Sequence, residues 1–237
     1  HTSLDDLYAD LEALTTAREH YDLALELAQE IEDRYLIRYL ELMNAKLNRL
    51  NGDFHQSHLM LNAIERETQE SGTPQELGLW HLEKGQLHLA EHDRAEALQS
   101  FHEAENRFSS SGSRLEQIRA ALLLALTSIQ LGDRADARKH AQRGLDKASQ
   151  LDSPHPLIYI LRDKISLFAD LELSPSHRKQ LDELRAELRT FENQSAEVLQ
   201  EIIPDEAAPD PQAPRWEITV FGRPQVLIRG NRVQASE

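Results

Sequence analysis

Small and apolar residues recur along the chain at a spacing of 40 in three columns. Ala17, Ser57, Ala97, Ala137 and His177 form the first; Tyr21, Leu61, Phe101, Ala141 and Leu181 the second; Ala24, Ile64, Ala104, Gly144 and Leu184 the third. Offsets of four and three residues within a unit put all three side chains on one helical face. The turn before that helix recurs too, as Gly52-Asp53, His92-Asp93 and Gly132-Asp133. An Asp there caps the N–H groups of the following helix, and a preceding Gly ends the earlier helix in a left-handed conformation. Each unit therefore reads as helix, tight turn, helix. In the last unit Ser174-Pro175 supplies the cap and a first-turn proline. The first unit reads as truncated.

The first helix of each unit carries two apolar stripes. One holds Leu40, Trp80, Ala120 and Ile160 with Leu47, Leu87, Thr127 and Leu167; the other holds Leu42, Leu82 and Leu122 with Leu89 and Ile129. At about 100° per residue the two lie on nearly opposite sides, unlike a one-sided amphipathic helix. Either the helix is buried against neighbours on both sides, or the second stripe lines a concave groove that holds a peptide, a small effector or another copy of the chain. Tyr39, Leu42, Leu79, Leu82, Leu89, Leu122, Ile129 and Tyr159 would form that groove. On the second reading, charging Leu82 or Leu122 weakens association more than folding.

Composition narrows the function classes. The 237 residues hold 41 acidic against 26 basic side chains, a net charge of -15, with 5% aromatics. Such a surface argues against the helices gripping nucleic acid. The absence of cysteine removes disulfides and thiol chemistry and fits a reducing, cytoplasmic setting. No run of about eighteen apolar residues predicts a membrane span. His81, His88 and His92 have helical spacing, yet His92 takes the turn position and no third ligand is evident; His55 and His58 fare no better, so no metal or other cofactor is expected. Pairs such as Glu65 with Glu67, or Asp182 with Glu183, read as solvated faces. With no phosphate loop, G-x-S-x-G or H-E-x-x-H stretch, no enzyme is expected.

The C-terminus changes character. Residues 204–214 (PDEAAPDPQAP) lack helical periodicity, as a semi-extended linker does. Trp216–Phe221, Gln225–Ile228 and Arg232–Gln234 are then β-rich runs divided by turn signals. From Arg215 onward four Arg stand against two Glu, a balance of +2, which leaves -17 for everything before it. The expected organisation is a helical array over 1–193, an acidic Pro-rich linker over 194–215 and truncated strands over 216–237.

GDRADARKHAQRGLDKA from Gly132 and HDRAEALQSFHEAENRF from His92 resemble tetratricopeptide repeats, though the unit is 40 residues rather than the usual 34. The consensus first helix is poorly matched: Glu41, His81 and Ala121 stand where it has a large aromatic, and only the small column Ala45, Gly85, Ala125 survives. The longer unit is similar to the repeat region of MalT-like bacterial transcriptional activators. ITVFGRPQVLIRGNRVQASE resembles the strands that open the OmpR-type winged-helix domain of SARP-like regulators. These resemblances imply an all-α, tetratricopeptide-like superhelix with a short C-terminal β-hairpin segment, serving as the sensor and interaction domain of a transcriptional regulator. Its partners would be a protein or small-molecule effector, a second copy in a homo-oligomer, and DNA only through a domain missing from this chain. The alternative is a protein-interaction scaffold with no transcriptional role.

Overall fold

The computed structural model describes residues 14–151, 161, 164–202, 216–219, 225–228 and 231–233. Contacts divide the chain into two bodies, His1–Leu188 and Arg189–Glu237. In the first, α1 (Leu14–Glu30) is followed by three helical hairpins: α2 (Arg34–Leu50) with α3 (Phe54–Ser71), α4 (Pro74–Ala90) with α5 (Arg94–Ser111), and α6 (Arg114–Leu131) with α7 (Arg134–Ala148). A 3-10 turn at Ile165–Phe168 precedes α8 (Pro175–Ile202), of which the residues up to Leu188 belong to this body. The helices α1, α3, α5 and α7 start at residues 14, 54, 94 and 134, so the 40-residue register is kept by the backbone itself.

The turns explain that register. In all three hairpins the same two bonds close the first helix: Gly52 N to Arg49 O and Asp53 N to Asn48 O, His92 N to Leu89 O and Asp93 N to His88 O, Gly132 N to Ile129 O and Asp133 N to Ser128 O. This pairing satisfies terminal carbonyls and needs a left-handed residue at its centre. Gly52, His92 and Gly132 supply it, with φ of 81°, 66° and 82°. The next residue caps the second helix: Asp53 accepts from Gln56 N at 3.1 Å, Asp93 from Glu96 N at 3.3 Å and Asp133 from Asp136 N at 3.0 Å. Ser174 plays the same part ahead of Pro175, accepting from His177 N at 3.3 Å.

The three predicted columns face the core. Fourteen of the fifteen residues are buried; His177 is half-buried and bonded through Nε2 to Asp146 at 2.7 Å. Ser57 keeps its place among alanines because its hydroxyl donates to the Ala45 carbonyl at 3.0 Å. A fourth column one turn on, Ala28, Thr68, Phe108, Ala148 and Leu188, is also buried. It escapes a pattern reading because Ala, Thr, Phe and Leu share neither size nor polarity.

Packing between the two helices of a hairpin is a match of large against small. A Cβ added at Gly85 on α4 would lie 2.6 Å from the Phe101 ring on α5, and one at Gly78 would lie 2.5 Å from Phe108. Trp80 reaches back to the preceding hairpin, donating from Nε1 to the Leu61 carbonyl at 3.0 Å. Residues 120–128 of α6 are all buried, the condition of a helix with neighbours all round.

Two expectations change. Leu167, placed by spacing in the Leu47, Leu87, Thr127 column, is 39% exposed, whereas Ile165 and Phe168 are buried. The backbone tightens to a 3-10 turn there, which rotates the apolar face away from α-helical register. Ile160 lies outside the described residues. The linker expected from residue 194 starts too early, because α8 runs on to Ile202.

In the second body, β1 (Trp216–Thr219), β2 (Gln225–Ile228) and β3 (Asn231–Val233) pair antiparallel in the order β1-β2-β3. Trp216 stands opposite Ile228, and Val226 opposite Val233.

Candidate interaction surface

Leu42, Leu82 and Leu122, the centre of the second stripe, are 4%, 2% and 0% exposed. This goes against their part in an open groove: the protein's own helices occupy that side. Leu122 meets α7 at Gly144, where an added Cβ would lie 3.0 Å from its Cδ2. Tyr39, Leu79, Leu89 and Ile129 are half-buried, with Tyr39 and Leu79 packed on the edge of the core; Tyr159 lies outside the described residues. The structure therefore puts three of the eight in the interior and leaves four at its margin.

Polar chemistry concentrates where α2 meets α4, a contact that residue spacing does not reveal. The Arg38 guanidinium donates to Glu76 Oε1 through Nε at 2.9 Å and NH2 at 2.6 Å, and through NH1 to Glu67 at 3.1 Å. Glu76 also closes a capping box, its Oε2 accepting from Thr73 N at 2.8 Å while Thr73 Oγ1 accepts from Glu76 N. Burial by itself would raise the Glu76 carboxyl; the bonds from Thr73 and Arg38 outweigh it and hold the group below the usual carboxylate range. Farther along, Arg49 donates to both oxygens of Glu83. The legible signal was Thr73-x-x-Glu76, a capping-box spacing followed by an apolar run.

The histidines split into separate settings. His58 Nε2 meets Glu91 at 2.8 Å, and its ring stands edge-on to His88, 5.8 Å between centroids. Burial lowers the His88 pKa. Burial also lowers His81 to about 4, with Glu103 opposing and Arg107 and Lys84 reinforcing the shift. Burial and then Arg143, which donates to Nδ1 at 2.8 Å, hold His140 at about 4. His92 sits in its turn. Among the described residues no three His, Cys, Asp or Glu side chains converge on one point.

The architecture so built, successive two-helix units in register, defines a helical-repeat-like protein. No protein-family model matches the chain. No curated protein matches it either. Among solved structures the fold is similar to that of BtubC (BKLC) from P. vanneervenii, with a TM-score of 0.53 and 16% identity over 85% of this chain and 77% of that one. At that identity the likeness concerns the fold alone. Among the described residues no helix is long and apolar enough to cross a membrane.

Proposed function

We propose that this chain is the sensor and protein-interaction region of a bacterial transcriptional regulator, in which a tetratricopeptide-like superhelix controls an adjacent winged-helix DNA-binding domain. The observation that carries this reading is the order of parts: a helical array in 40-residue register, a Pro-rich acidic segment, then β-rich runs that resemble the opening of an OmpR-type domain. Binding of an effector, or self-association of the array, would alter the access of the tethered domain to DNA, and the acidic linker would compete with DNA for its basic surface. The array itself carries the negative balance and is no DNA-binding surface.

The test uses the natural full-length protein and its variant lacking residues 1–193. Binding of both to the DNA upstream of their own gene is followed by electrophoretic shift, with the present chain as control. We expect the full protein to bind, the array-deleted variant to bind with altered response to cell extract, and the present chain to leave DNA unshifted at physiological salt. Failure of the full-length protein to bind DNA removes the regulator reading.

One observation favours a scaffold instead. Leu23, Leu27, Ile31 and Tyr35 follow one another at four-residue intervals and are 57%, 50%, 70% and 49% exposed. Exposed apolar side chains at the end of α1, in the turn and at the start of α2 suit a protein partner whether or not DNA is involved.

A further inference from the structure

The chain is strongly acidic, yet α7 (RADARKHAQRGLDKA) carries five basic residues against two acidic ones. Arg138, Lys139, Gln142, Arg143, Asp146 and Lys147 line a shallow groove of about 550 Å³ that reaches from Ala135 to Gln150. The repeat does not call for this charge. At the positions of Arg138, Lys139, Arg143 and Lys147 the second helix of the preceding unit has Leu98, Gln99, Glu103 and Arg107, and the one before that has His58, Leu59, Ala63 and Glu67.

Three of the four lining cations, Arg138, Lys139 and Lys147, are held ready rather than firmly neutralised. Lys147 donates to Gln117 Oε1 at 2.6 Å, a partner without charge. Arg138 faces Glu172 at 3.5 Å, and that carboxylate is 90% exposed, so the contact is weak and exchangeable. Lys139 is exposed and has no ion-pair partner among the described residues. Arg143 is fixed by Glu105 at 2.6 Å, and the lining's one carboxylate, Asp146, is engaged by His177 at 2.7 Å.

We propose that this face of α7 binds an extended acidic peptide. A helical run from Ala135 to Gln150 spans about 22 Å, the length of roughly seven residues of extended chain. A small anion would stay largely in water in so shallow a groove, whereas specific small-molecule sites enclose most of their ligand. A nucleic acid would overrun the stripe onto the acidic surface around it and be repelled. Carboxylates spaced along a peptide can meet Arg138, Lys139 and Lys147 in turn, while the Gln142 and Gln150 amides serve its backbone. The proposal does not rest on the regulator reading, since no DNA takes part.

The test is fluorescence anisotropy with a fluorescein-labelled peptide of four Glu-Ala repeats at low salt, against a Lys-Ala peptide and a short single-stranded oligonucleotide of matched charge. We expect saturable binding of the Glu-Ala peptide alone, weakening as salt rises. The exposed double substitution Arg138→Glu, Lys139→Glu should lower affinity about tenfold or more, and Arg138→Lys, Lys139→Arg should retain it. If the charge reversal melts the array, Lys139→Gln alone carries the comparison, with an expected loss of about twofold to fivefold. Absence of saturable peptide binding, affinity unchanged in the charge-altered variants, or equal binding of the oligonucleotide overturns the proposal.

Discussion

His92 occupies the left-handed turn position that Gly52 and Gly132 hold in the neighbouring units, with φ of 66°. A side chain in that conformation costs about 1–2 kcal/mol, which glycine avoids at the price of a freer unfolded chain. His92→Gly should therefore raise the unfolding free energy by up to about 1 kcal/mol, read from urea denaturation. His140 gives a pH effect. Its ring stays neutral in the fold, with a pKa lowered from 6.5 to about 4 by burial, Arg143 and His102. The unfolded chain then takes up the proton first, so the stabilisation is whole above 6.5 and is lost as pH falls towards about 4. Between neutrality and about pH 5 the loss should be roughly 1–2 kcal/mol from this residue, and His140→Gln should flatten the dependence in denaturation curves at the two pH values.

Between elements, the close approach of α4 to α5 depends on Gly85, whose missing Cβ makes room for the Phe101 ring. Gly85→Ala sets a gain in helix propensity of about 1 kcal/mol against overpacking of about 1–3 kcal/mol. Because the obstacle at 2.6 Å is a buried aromatic ring with nowhere to turn, overpacking wins. We expect net destabilisation of up to about 2 kcal/mol by chemical denaturation, with Gly144→Ala nearer neutral. The α2 to α4 contact obeys another rule. Arg38 is buried with its charge, so Glu76→Ala would leave the guanidinium only its contact to the half-exposed Glu67 and cost about 3 kcal/mol, measured as a fall in unfolding free energy; the loss of the Thr73 capping box adds to it.

For the array as a whole, stability is a sum over units and their interfaces. Residues 120–128 of α6 are buried without a break, whereas α1 exposes Leu23 and Leu27. Amide exchange should accordingly be slowest in α6 and fastest in α1, as read by mass spectrometry on peptic fragments. Equal protection along the chain would mean that the array unfolds as one cooperative block.

The sequence alone determined the 40-residue register, the three core columns and the hairpin caps at Asp53, Asp93 and Asp133, because a helical face and a turn are local and repeat with the chain. Tertiary structure decided the rest. Which side of the first helices is open depends on how closely neighbours approach, and their approach buries Leu42, Leu82 and Leu122. The partners of Arg38 and Arg49 were equally hidden, since Glu76 and Glu83 come from another unit and no periodicity links a cation to its carboxylate. Phe168 replaces Leu167 in the core only because the backbone tightens there, a choice made by packing rather than by spacing.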